Sequence, residues 1–190
     1  MEVSYNCQAA VDSKHSLLVY FDATNCNDAK ALATVAIAAK QVLAKKRITV
    51  LADKGYHNGE QIGQCLKNGI ITIVAYREPA RDPVPAQAYY LEKFIYNPKK
   101  DHYLCPKGEV LTTNGSWYEM NKPSSYRKNA TPNLAKHYKS KACLACSVKA
   151  LCTANKAGRL IVRSEHAAAI QANNERLLKQ KEAYPNDRQS

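Results

Sequence analysis

The segment Ile48–Ile62 reads ITVLADKGYHNGEQI. An apolar run rich in β-branched residues ends on one aspartate, Asp53, and a Gly-Tyr turn follows. In α/β sheets, ligands and reactive groups collect at the carboxyl ends of parallel strands. A carboxylate placed there in a basic protein suits a divalent cation that activates an oxygen nucleophile at a phosphate. The plainer role for Asp53 is a turn cap that accepts nearby backbone N–H groups.

A second reactive set lies later in the chain. Cys143, Cys146 and Cys152 are spaced C-x2-C-x5-C, and Cys105 stands upstream in a CPKG turn. Two thiolates two residues apart hold one ion from a single turn, and Cys105 would bring a fourth sulfur from a preceding hairpin. Zinc is the first choice, because four thiolates suit it without redox chemistry. An iron–sulfur cluster accepts the same ligands. The alternative is a set of small buried hydrophobes in a reducing compartment. His137, close to the block, is a reserve ligand. Cys7, Cys26 and Cys65 are isolated and read as packing residues.

The charge points to a polyanion. The formal net charge is +12 over 190 residues, with a pI of about 9.4. Between Asn121 and Arg163 there are ten Lys or Arg and no Asp or Glu. Lys122, Arg127, Lys128, Lys136, Lys139, Lys141, Arg159 and Arg163 are therefore candidate phosphate contacts, joined by Lys149 and Lys156. Such cations provide affinity without sequence choice. Trp117, Tyr118, Tyr126 and Tyr138 lie nearby and offer faces for unpaired bases, although core packing is the commoner use of aromatics. Hydrophobic residues make up 45%, which predicts a packed core rather than disorder. No apolar run reaches membrane-spanning length and the N-terminus lacks signal-peptide features, so the cytoplasm is the expected location.

Particular elements must position these groups. Tyr5–Val11 and Leu17–Phe21 read as a hairpin turning near Asp12. The Ala- and Leu-rich run Asp28–Ala44 predicts a helix capped by Asn27 or Asp28. Arg47–Ala52 predicts a buried strand, Asn58–Leu66 a helix with Asn58 as cap and Gly69 beyond its end, and Ile70–Val74 a second strand. Alternation of strands and helices predicts an α/β domain with a parallel section, made mixed by the hairpin. The proline-rich stretch 78–87 marks a change of character. Short strand-like pieces then run to about Ala157, Leu160–Val162 is a further strand candidate, and Glu165–Ala183 reads as a helix. The expected division is 1–77, a cysteine-rich, loop-rich basic insertion over 78–163, and a helix over 164–190.

Three strings in order, YNCQAAVDSKHSLLV, DATNCNDAKAL and VLADKGYHNGEQI, resemble the core of bacterial insertion-sequence transposases of the DDE class. The later strings YLCPKGEVLT, KACLACSVKALC and GRLIVRSEHAAAI resemble the cysteine-rich portion of one branch of that class. The resemblance implies an RNase H-like mixed sheet with flanking helices. It also implies Mg2+ (or Mn2+) at a carboxylate triad, cleavage and joining of double-stranded DNA at transposon ends, and the dimeric action common in the class. By position, Asp53 matches the second carboxylate, with Gly55 and Tyr56 in the same motif. Asp12 is the one acidic residue near the place of the first, and its plainer reading is a hairpin-turn residue. No string matches the third, and Glu165, Glu175 and Glu182 read as solvated helix charges. The resemblance therefore implies an internal piece of a transposase that does not cleave DNA alone. The alternative is a non-catalytic, zinc-stabilised DNA-binding module.

Overall fold

A computed structural model describes residues 5–24, 27–76, 84–120 and 133–183, with side-chain surroundings to 180. The chain divides into two compact units, Met1–Glu78 with His166–Ser190, and Pro79–Glu165.

The first unit opens with the hairpin β1 (Asn6–Val11) and β2 (Leu18–Thr24), antiparallel, with a register shift at Ala10/Val11. A 3-10 turn, Asp28–Lys30, leads into α1 (Leu32–Val42). β3 (Ile48–Ala52), the 3-10 turn Lys54–Tyr56, α2 (Gly59–Lys67) and β4 (Ile70–Val74) follow. β3 and β4 are parallel and in register, Ile48 opposite Ile70 through Ala52 opposite Val74. The single mixed sheet expected from the strand pattern is not formed: β1–β2 and β3–β4 are separate two-stranded sheets. The strands have the predicted directions, but no hydrogen-bonded ladder joins β1 to β3.

α1 buries Leu32, Ala33, Ala36 and Ala39, which fall on one helical face. They pack with Ile62 and Cys65 of α2 and with Ile70 and Val74 of β4. The expected caps differ in outcome. Asn58 caps α2, accepting from Glu60 N at 2.9 Å and Gln61 N at 3.4 Å. Asn27 makes no side-chain cap bond. A buried first-turn amide of α1 is met from elsewhere, since Ala33 N donates to Gln61 Oε1 at 3.0 Å. Gly69 ends α2 at φ +68°, the left-handed region that favours glycine.

α4 (Ala167–Ala183) belongs to this unit and seals the outer edge of β4. Asn173, fully buried, accepts from Val74 N at 2.9 Å and donates to Val74 O at 3.0 Å. Arg176 Nε donates to Thr72 O at 2.9 Å.

The second unit is built from β5 (Ile95–Asn97), β6 (His102–Leu104) and β7 (Val110–Thr112) in one antiparallel sheet. β8 (Tyr118–Glu119), β9 (Leu134–Tyr138) and β10 (Ile161–Ser164) form another, and a bridge from Thr112 to Lys139 links them. α3 (Lys149–Cys152) is a single short turn. Phe94, Tyr103, Leu111, Tyr138 and Ile161 form the core. Asp101 turns the β5–β6 connection at φ +48°, and its carboxylate ties that core down. It accepts from Tyr138 Oη at 2.6 Å, Tyr96 Oη at 2.8 Å and Lys136 Nζ at 2.6 Å.

Candidate functional site

β3 ends where the sequence places Asp53, at the carboxyl end of a parallel strand. Asp53 opens the 3-10 turn Lys54–Tyr56 and its Oδ1 accepts from Gly55 N at 2.7 Å. The cap role is real, and it leaves the carboxylate exposed at the sheet rim.

A second carboxylate meets it. A methyl group placed on Gly55 would lie 3.0 Å from Asp53 Oδ1 and 3.3 Å from Asp28 Oδ2, so the two side chains flank one glycine. Asp28, expected as a helix cap, turns instead toward β1. Its Oδ1 accepts from Asn6 Nδ2 and from Gln8 Nε2, both at 2.8 Å. The amides of Asn6 and then Gln8 hold its carboxyl below the usual carboxylate range. Gln8 is buried, and its Oε1 accepts from the Tyr56 hydroxyl. Burial, followed by the charges of Asp28 and Asp53, pushes the Tyr56 hydroxyl up, so it stays a donor to Gln8. The chain Tyr56–Gln8–Asp28–Asn6 thus fixes one oxygen of Asp28 and leaves the other beside Gly55.

Asp28, Gln8 and Asn6 were legible only as a weak signal. Asn6 and Gln8 are amide side chains two residues apart on a short strand, hence on the same face. Asp12 sits apart in the hairpin turn, where its Oδ2 accepts from His15 N at 2.7 Å. His57, just past the Lys54–Tyr56 turn, is half-buried. It packs edge-on to Tyr76 at 6.4 Å, and its Nε2 is buried without a hydrogen-bond partner. Among the described residues no group of three or more His, Cys, Asp or Glu is set closely enough to hold a metal ion.

A family model for the transposase DDE domain matches residues 2–144, about three quarters of the 190 residues. The chain belongs to the DDE transposase family. No curated protein and no solved structure matches it. The matched span holds Asp28, Asp53, Cys105 and Cys143, and it ends before Cys146 and Cys152.

Within this DDE chain the four clustered cysteines line one cavity in the second unit, of about 30 Å3, together with Phe94, Leu111 and Arg159. All four are free thiols. Cys105 opens the CPKG turn, which Gly108 closes at φ +84°, and its Sγ accepts from Glu109 N at 3.3 Å. Gly158, at φ +95°, leaves no room for a Cβ, which would lie 2.5 Å from Cys143 Cβ. Burial, first among its causes, pushes the Cys152 thiol up. The four sulfurs share a cavity without forming a close-set ligand group. His137 stacks on Tyr118 at 4.4 Å. Cys7 is exposed, Cys65 is buried with its thiol pushed up to about 11, and Cys26 lies outside the described residues.

The cations of the DDE chain's basic stretch divide by environment. Lys122, Arg127 and Lys128 lie outside the described residues, as does Tyr126. Lys139, Lys141 and Lys156 are exposed. Lys136 pairs with Asp101 and sits 5.0 Å from the Trp117 ring centre. Arg163 lies 3.7 Å over Tyr96 and donates to Tyr103 Oη at 3.2 Å, while Arg159 lies 5.5 Å from the Phe94 ring centre. Lys149 Nζ donates to Lys156 O at 2.6 Å. Tyr138 is fully buried, so it is a core residue and not a base-stacking face, whereas Trp117 and Tyr118 keep exposed surface. Glu165 and Glu175 are engaged locally, accepting from Leu134 N and Gln171 Nε2, each at 2.9 Å. The side chain of Glu182 lies outside the described residues. Among the described residues no helix is long and apolar enough to cross a membrane.

Proposed function

We propose that the first unit carries part of an RNase H-like DDE catalytic site, in which Asp53 and Asp28 hold one Mg2+ or Mn2+ for cleavage and joining of double-stranded DNA at transposon ends. The observation that carries this reading is the pair of carboxylate oxygens on either side of Gly55 at the end of β3. Hard oxygen donors suit these ions, and Mg2+ is commonly held by one or two carboxylates with water and substrate phosphate filling the remaining positions. Such an ion, when bound, stabilises charge on the attacking or leaving oxygen of a phosphodiester. The chain's own groups do the positioning. Asn6 and Gln8 keep Asp28 ionised, Tyr56 locks Gln8, and Gly55 leaves the space between the carboxylates open. One carboxylate pair supplies protein ligands for one ion, whereas an in-line displacement uses ions on both oxygens. The chain alone therefore does not cleave DNA. In solution, the test is Mn2+ binding to the wild type against Asp53→Asn and Asp28→Asn. A site weakened by both substitutions supports the reading; a site indifferent to both removes it.

A second reading, a zinc-stabilised DNA-binding module without catalysis, is favoured by the four thiols around one cavity. That cavity has room for a water-sized ion, and four sulfurs match the donor chemistry of structural zinc. The thiols would have to draw in around the ion. Stoichiometric zinc, DNA binding that falls steeply with salt, and no Mn2+ site would favour this module over the catalytic fragment.

A further inference from the structure

Cations gather at the end of the first unit that lies opposite Asp53. α1 ends at Val42 and β3 starts at Ile48, while α2 ends at Lys67 and β4 starts at Ile70. Both connections therefore lie at the amino ends of the two parallel strands. They come close together: a Cβ on Gly69 would lie 3.4 Å from Lys40 Nζ and 3.5 Å from Lys46 O. Lys40 Nζ also donates to Asn68 O, from one connection to the other. α4 runs antiparallel to β4, with Asn173 at Val74 and Arg176 at Thr72, so its next turn carries the exposed Lys179 toward the same end. No acidic residue occurs from 29 to 52 or from 61 to 74.

Ordinary structural roles account for part of this charge. Lys40 and Lys67 stand in the last turns of their helices, where a cation complements the carbonyl dipole. Lys45, Lys46 and Arg47 lie beyond α1 and have no such role. All three are exposed, and among the described residues none makes a side-chain hydrogen bond or an ion pair. The connection that carries them is held in shape. The N–H groups of Leu43, Ala44 and Lys45 donate to the carbonyls of Ala39, Gln41 and Lys40, and Ala44 takes φ +51°. The tip of the β1–β2 hairpin reaches this end too, since Val11 and Asp12 line a cavity with Leu43 and Ile48. It brings Asp12 together with Lys14, and Asp12 accepts from His15 N rather than from the three cations. Three adjacent like charges repel one another, a cost that a bound anion removes.

We propose that this end of the first unit binds the sugar-phosphate backbone of duplex DNA, with Lys45, Lys46 and Arg47 as phosphate contacts and Lys67 and Lys179 at the margin. Contacts of this kind hold a duplex without reading its sequence. A lipid surface fits less well, although Val42 and Leu66 are exposed nearby. A helix that lies on a bilayer presents an apolar stripe to it, and the apolar face of α1 is buried in the core. The surface is distinct from the basic stretch of the second unit and from the carboxylate pair. β3 has five residues, so at about 3.3 Å each its ends are roughly 16 Å apart. That length corresponds to about five steps along a DNA strand. The backbone held here is therefore not the phosphate presented to Asp53. Duplex DNA is the polyanion of both readings above, and only the spacing to a cut phosphate rests on the catalytic one.

The test is fluorescence anisotropy of a labelled duplex of arbitrary sequence, about 20 base pairs long, titrated with the full chain at several NaCl concentrations. The triple variant Lys45→Gln/Lys46→Gln/Arg47→Gln should lose about tenfold or more in affinity at low salt. Its logarithmic salt slope should fall by about 2–3, at about 0.9 for each phosphate contact removed. The variant should keep the wild type's circular dichroism spectrum and its Mn2+ binding, so failure here and failure of the catalytic reading are separate results. On the wild type, saturating duplex should slow chemical acetylation of Lys45 and Lys46 severalfold, and this footprint decides the matter if the variant does not fold. Unchanged affinity and slope in the folded variant overturn the proposal, as does acetylation that is indifferent to duplex. Protection by phosphatidylserine vesicles and not by duplex also overturns it, in favour of a lipid surface.

Discussion

Asn173 on α4 uses both ends of its amide on one residue of β4, accepting from Val74 N at 2.9 Å and donating to Val74 O at 3.0 Å. The side chain takes the place a neighbouring strand would fill. Both residues are fully buried, so truncation leaves an N–H and a C=O without water or partner. Asn173→Ala should cost about 2–4 kcal/mol in urea unfolding. Equal stability of wild type and Asn173→Ala would mean that α4 does not depend on this bond.

Gly55 lies beside two carboxylates, and a side chain there would crowd both. In Gly55→Ala the new methyl would sit 3.0 Å from Asp53 Oδ1 and 3.3 Å from Asp28 Oδ2. The Mn2+ affinity should drop about tenfold while fold stability changes by less than about 1 kcal/mol. Electron paramagnetic resonance titration with Mn2+, alongside thermal unfolding, reads both quantities.

Asp101 sets an acid limit for the second unit. Hydrogen bonds from Lys136 and then Tyr138 hold its carboxyl at about 2, against 3.8 for the free side chain. The folded value lies below the unfolded one, so the contribution is present above the unfolded value and fades as pH falls toward the folded one. Its side chain is 34% exposed, which screens the interaction, and about 1–2 kcal/mol is the expected size. Unfolding measured from pH 6 down to about 2 should show this loss in the wild type and a flatter profile in Asp101→Asn.

Gly158 tests the thiol cavity. Alanine there collides with Cys143 Cβ at 2.5 Å and must hold φ +95°. Gly158→Ala should destabilise the second unit by about 2 kcal/mol or more. If zinc sits among the thiols, elemental analysis should give one equivalent in the wild type and less in this variant. The Cys143/Cys146 double alanine variant should contain none.

Local patterns carried most of the first unit. The hairpin, α1, β3, α2 with its Asn58 cap, and β4 all follow from short-range periodicity and turn chemistry. Asp53 was legible because a strand end announces itself in five or six residues. Asp28 was not, because Asp ahead of an Ala-rich run has the signature of a helix cap. Its actual partners, Asn6 and Gln8, lie 22 and 20 residues away. The same distance problem hid Asn173, 99 residues from Val74. In the second unit, Arg163 and Lys136 read as a basic face, yet tyrosines, Trp117 and Asp101 engage them. Composition counts charge but does not tell a solvated cation from one lying on an aromatic ring. The separation of the two sheets had no local signature, because each pair of strands satisfies its own pattern.

The 99 residues between Val74 and Asn173 also have a meaning in time. Synthesis at about 5–20 residues per second places roughly 5–20 s between the appearance of β4 and that of the helix that seals it. Through that interval the nascent chain carries an uncovered Val74 edge as well as the open β3 edge. The ribosome-bound intermediate is therefore a stronger substrate for strand-capturing chaperones, and for aggregation, than the finished chain.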